Sequence, residues 1–158
     1  MSQESPSRKM MTRKASDNKY LHKDFHLSMN ILLKYIYENY GTDQMIRYLK
    51  QYTEAYLGSL NKKMKTGDIN SLAEYLTDIY QKEDWPVDIH VTGEKIIIEQ
   101  KTCPGISQIK AKGETPCPHY IETYNTVYNT LCQNTPFVYK IEFFDEETGA
   151  CKQIFERK

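Results

Sequence analysis

No stretch of this chain approaches the roughly 18 consecutive apolar residues that would cross a bilayer. No apolar run of about 7–15 residues follows its first charges, so a secretory signal is not expected. The chain therefore reads as cytoplasmic and without a membrane partner. Net charge is missing too: 21 basic and 21 acidic side chains cancel. No overall field draws it to nucleic acid or to a lipid surface. Cys103, Cys117, Cys132 and Cys151 contain no C-x-x-C pair, which leaves a zinc ribbon unsupported. In a reducing compartment these four should be free thiols. Walker, dinucleotide-glycine, G-x-S-x-G and EF-hand patterns are absent. No pair of carboxylates is placed by spacing alone for acid–base work.

What is present fits one domain with a real core, for 158 residues suffice for that. Residues 1–17 carry Arg8, Lys9, Arg13 and Lys14 against only Glu4 and Asp17, with little apolar periodicity. They read as a disordered basic tail, and residues 18–158 as the folded domain. Leu21, Phe25, Met29, Leu32, Leu33 and Ile36 recur at helical spacing up to Gly41, a suitable left-handed C-cap. Thr42 then caps a second helix carrying Met45, Leu49, Tyr52, Tyr56 and Leu60. After Gly67, Asp68 or Asn70 starts a third, with Ile69, Leu72, Leu76 and Ile79, closed by Trp85-Pro86.

The period then shortens from 3.6 to 2. Val87, Ile89 and Val91 alternate with polar residues, and Lys95–Lys101 pairs back through Thr92-Gly93-Glu94. A loop or short helix fills 104–112. A fourth helix is expected to start near Cys117 or Pro118, since proline suits a first turn. Phe137–Phe144 and Ala150–Glu156 complete a second hairpin. The expected fold is α+β: three N-terminal helices, a β-hairpin, a helix and a β-hairpin, the antiparallel sheet packed on the helices.

Chemistry is sought first at Cys117. A thiol at a helix start meets unpaired N–H groups that favour the thiolate, the nucleophilic form. His119 is a candidate for proton transfer beside it, although residues two apart on a helix diverge. Cys103 ends the Ile-rich strand and is a second candidate nucleophile. Cys132 reads as structural. His22 and His26 share one helix face and can contact a substrate or ligate a metal. Lys23 stands where a zincin requires glutamate, so that motif fails. No cofactor is expected; the alternative is zinc or iron held by His22, His26, Cys103 and Cys117.

CPGISQIKAKGETPCPHY, the YLHKDFH helix and the closing GACKQIFER strand resemble the bacterial L-2-amino-thiazoline-4-carboxylic acid hydrolase-like family. That group is itself similar in layout to the vinyl-reductase-like small-molecule-binding domains. The resemblance spans roughly residues 19–157 and rests mainly on Cys103-Pro104, Cys117-Pro118 and Cys151 with Phe155. It implies hydrolytic opening of a cyclic amidine-like C–N bond, with Cys117 or Cys103 attacking the ring carbon. His22, His26 and Tyr120 are then the expected substrate contacts. The alternative is a non-enzymatic sensor that binds a small ligand or metal in the same pocket. The tyrosine-rich helices leave a homo-oligomer open.

Overall fold

The computed structural model describes residues 22–158, with side chains from Phe25 onward. The basic tail proposed for residues 1–17 lies outside the described residues, as does the side chain of His22. Four helices and a four-stranded antiparallel sheet make the chain α+β, as its changing period implies. No helix among the described residues is long and apolar enough to cross a membrane.

The first helix, α1 (His22–Lys65), is two helical arms joined at Gly41, whose φ of 81° and ψ of 176° break the helical path. A side chain would strain this conformation, which is why glycine sits at the joint. Met64 and Lys63 carbonyls accept from Gly67 and Thr66 N–H groups to close the second arm. Helix α2 (Asn70–Lys82) begins where Asp68 accepts the Ser71 N–H at 3.1 Å. Leu72 and Leu76 of α2 join Leu33, Met45 and Leu49 of α1 in the main core.

Strands β1 (Asp88–Val91) and β2 (Lys95–Gln100) form the first hairpin. Strands β3 (Phe137–Phe144) and β4 (Cys151–Arg157) form the second. The sheet order β1-β2-β4-β3 joins them through β2 and β4, and Gln100 stands opposite Cys151. Ile96 and Ile98 face inward from β2 and pack with Phe137 and Phe155. Strand β1 is an edge strand, so Val91 stays 45% exposed despite its alternating pattern.

Residues 104–112, open between loop and helix in the sequence, contain helix α3 (Pro104–Ala111). Helix α4 (Glu122–Leu131) starts later than the Cys-Pro step at 117–118 implies. His119 takes a left-handed φ of 63°, which interrupts any helix through it. The segment turns instead, through Tyr120 N–H to Cys117 carbonyl and Glu122 N–H to His119 carbonyl bonds.

Candidate functional site

Between α1, α2 and α4 lies a cavity of about 140 Å³. Phe25, Met29, Leu49, Tyr52 and Leu57 come from α1, and Tyr75, Ile79 and Tyr80 from α2. Thr123, Tyr124, Val127 and Tyr128 come from α4, while Pro104 and Tyr120 close the end near α3. The tyrosines sit on the apolar stripes of their helices, so the packing that builds the core also lines the cavity with rings.

Two charged-type side chains, His26 and Glu83, stand in this wall. His26 Nε2 donates toward both Glu83 oxygens, at 3.0 and 3.2 Å. Glu83 is only 4% exposed and follows directly on the C-terminal end of α2, whose dipole disfavours negative charge. Burial and the helix end both act against a lone carboxylate there, and the imidazole offsets them. The other ring nitrogen of His26 faces Gly105: a Cβ built on that glycine would lie 2.9 Å from Nδ1 and 2.2 Å from the Tyr120 hydroxyl. Glycine at 105 therefore lets α3 close against His26 and Tyr120.

Cys103 stands behind this wall. It is the N-cap of α3, with extended backbone (φ −92°, ψ 129°) and Pro104 in the first turn. Its Sγ lies 2.9 Å from the Tyr124 hydroxyl. Burial pushes the Cys103 thiol above its ordinary pKa; the Tyr124 hydroxyl, the Ile106 and Gly105 N–H groups and the Tyr120 hydroxyl act in the opposite sense. The resting group is thus a neutral thiol with hydrogen-bond donors already placed around it. Gly149, at a positive φ of 71°, makes room on the other side: a Cβ there would lie 2.2 Å from that of Cys103.

Gln100 fixes the ring wall from behind. The Tyr80 hydroxyl donates to its Oε1 at 2.8 Å, and its Nε2 donates to the Tyr124 hydroxyl at 3.2 Å and the Gly149 carbonyl at 2.8 Å. Tyr80, Tyr120 and Tyr124 are all held well above the usual phenol pKa, chiefly by burial, and remain neutral donors.

The structure thus brings Cys103, His26 and Tyr120 together and leaves Cys117 and His119 elsewhere. Cys117 is corrected from a helix-start position: α4 begins at Glu122, five residues on, so its dipole does not reach the thiol. The thiol donates to its neighbour, the Pro118 carbonyl, at 3.0 Å and sits 3.9 Å from Met45 Sδ. Burial pushes it up to about 11. Asn30 pins this segment, accepting the Cys117 N–H at 2.7 Å and donating to the Thr115 carbonyl at 2.9 Å. His119 is exposed, its ring centroid 5.3 Å from that of Tyr37. Neither residue lines the cavity. Cys132 and Cys151 are buried thiols, each pushed up to about 12 by burial.

No three histidine, cysteine or acidic side chains among the described residues are grouped to hold a metal ion. The zinc or iron set of His22, His26, Cys103 and Cys117 loses one member, because Cys117 packs away from the cavity against Met45.

Sequence reasoning did not single out Glu83 or Gln100. Gln100 had a signal, since it continues the inward alternation of Ile96 and Ile98. Glu83 had none, because its partner is 57 residues away in the chain. No protein-family model matches the chain, and no curated protein sequence matches it.

Proposed function

We propose that the chain is a small hydrolase acting on the C–N bond of a small amidine-type heterocycle, with Cys103 as nucleophile. One observation carries this: Pro104, Tyr120, Tyr124 and the His26–Glu83 pair line one end of an aromatic cavity, and Cys103 stands directly behind them with its Sγ 2.9 Å from the Tyr124 hydroxyl. Such a cavity, at about 140 Å³, is of the size that takes a single six-membered ring, since about 150 Å³ holds benzene.

The chemistry follows from the donors in place. His26 accepts the Cys103 proton, and the thiolate is met by the Gly105 and Ile106 N–H groups at the start of α3. Its sulfur attacks the carbon between the two heteroatoms, and the new S–C bond forms as the C–N bond breaks. His26, oriented by Glu83, is the group placed to give the departing nitrogen its proton. Water then cleaves the S–C bond and returns the proton to sulfur. This retains the activity implied by the hydrolase-like family resemblance but places it on Cys103 rather than Cys117.

Ligand binding without turnover is the alternative, favoured by one feature: Cys103 is only 1% exposed. Following ring opening by mass spectrometry, as the gain of one water by each of a panel of small cyclic amidines, separates the two. The hydrolase predicts turnover that falls by at least about a thousandfold in Cys103→Ser, a loss typical of removing a nucleophile. Tight binding with no ring opening of any member would leave only the sensor.

A further inference from the structure

The sheet has two edges, and they are not alike. Strand β3 ends one side and carries Lys140 and a bulge between Ile141 and Phe143, two devices that discourage further pairing. Strand β1 ends the other side, pairs with β2 in unbroken register and holds neither lysine nor proline. The Thr92 N–H donates to the Lys95 carbonyl at 2.8 Å, which makes these two the hydrogen-bonded pair beside the turn. Bonded and non-bonded pairs alternate along an antiparallel ladder. The backbone groups of His90 and Asp88 therefore turn to β2, and those of Ile89 and Val91 turn to the open edge.

A groove of about 660 Å³ runs beside that edge. Val87, Ile89 and Val91 line it from the strand side, sharing one face because side chains alternate, and Thr77 and Gln81 of α2 line it from the helix side. Val87 and Ile89 are half-buried and Val91 is 45% exposed, so this apolar row is only partly covered. An open edge strand beside a helix, with an apolar groove between them, suits an extended peptide added as a further strand. Main-chain bonds hold such a peptide, and its alternate side chains enter the groove. Charge narrows the guest. Among the described residues, Asp84 is the one charged side chain lining the groove, and Asp88 is exposed where β1 begins. Neither carboxylate makes an ion pair there; Lys82, two residues before Asp84, pairs with Asp78 instead.

We infer that the β1 edge and this groove are a docking site for an extended segment of a partner protein, added antiparallel to β1. The segment has apolar residues at alternate positions and a lysine or arginine beside Asp84 and Asp88. Apart from Tyr80, the groove shares no lining residue with the aromatic cavity, so docking here does not depend on the Cys103 chemistry.

The test is selection of random dodecapeptides displayed on phage against the full chain, followed by fluorescence anisotropy with the synthetic peptides recovered. Enriched peptides should alternate apolar with polar residues and carry lysine or arginine. Val91→Pro should fold, because an edge strand accepts proline where the lost N–H faced solvent. It should weaken peptide binding about tenfold, the worth of one edge hydrogen bond. Val91→Lys keeps that N–H but places a cation in the groove, and should weaken binding at least as much; it decides the matter should Val91→Pro fail to fold. Asp84→Asn combined with Asp88→Asn should weaken binding about fivefold at low salt and flatten its salt dependence. No enrichment over the bare support, enrichment of acidic peptides, or equal affinity for Val91→Lys and the wild type overturns the proposal. A full chain that sediments as a dimer, and as a monomer in Val91→Pro, gives the edge to a second copy and overturns it as well.

Discussion

His26 joins a half-buried imidazole to the carboxylate of Glu83, which is buried just past the end of α2. With Nε2 at 3.0 Å from Oε1, the imidazole sits at the rim and the carboxylate at 4% exposure beyond a helix C-terminus. Removing either partner is therefore unequal. His26→Ala takes one partner from a buried carboxylate and should cost about 3 kcal/mol of unfolding free energy. Glu83→Gln removes the buried charge but keeps an acceptor for the imidazole, and should cost about 1–2 kcal/mol, nearer an ordinary hydrogen bond. Urea unfolding of both variants checks this, and equal losses would mean that the carboxylate is not the strained member.

Gly105 is the contact point between α3 and the pair. In Gly105→Ala the new Cβ would lie 2.2 Å from the Tyr120 hydroxyl and 2.9 Å from His26 Nδ1, so both must move. Overpacking of this kind costs about 1–3 kcal/mol. Ligand binding should fall by more than the stability loss implies, because the displaced atoms belong to the cavity wall. A Gly105→Ala chain with wild-type affinity would show that this wall does not touch the ligand.

Gln100→Leu removes the amide that ties two tyrosines and one carbonyl together. Left unpaired, these groups should cost about 3 kcal/mol or more, read by denaturant midpoint. The cavity should loosen too, seen as faster amide exchange at Tyr124.

Alkaline solution should destabilise the fold. Cys117 is pushed from its ordinary value of 9.0 up to about 11, and Cys132 and Cys151 to about 12. Between pH 9 and 12 the unfolded chain releases these protons while the folded chain keeps them, so the unfolded state binds fewer protons and stability falls as pH rises. Below pH 9 both states are protonated and the thiols contribute no slope. Thermal unfolding between pH 7 and 11 should be flat to about 9 and decline beyond it; Cys132→Ala should shallow the decline.

The element order was legible because hydrophobic period changes with secondary structure: the Ile96-Ile97-Ile98 run and the Leu72–Leu76 stripe read directly as strand and helix. The start of α4 was not, because Pro118 allows a helical first turn, whereas His119 takes a positive φ that breaks it. The same Cys-Pro rule that nominates Cys117 applies at Cys103, and there the helix does follow directly. Sequence placed His22 and His26 on one helix face, but the carboxylate partner of His26 comes from a tertiary approach that no spacing encodes. The pairing of β2 with β4, which sets Gln100 opposite Cys151, is likewise a choice of topology rather than of local pattern.

Which thiol forms the covalent intermediate is the decisive question, and acid quenching during turnover followed by peptide mass mapping answers it. The ring-derived adduct should lie on the peptide containing Cys103, vanish in Cys103→Ser, and persist in Cys117→Ser with turnover within about threefold of wild type, as expected for a thiol packed against Met45. An adduct on Cys117, or turnover that survives in Cys103→Ser, would contradict the assignment of the chemistry to the start of α3.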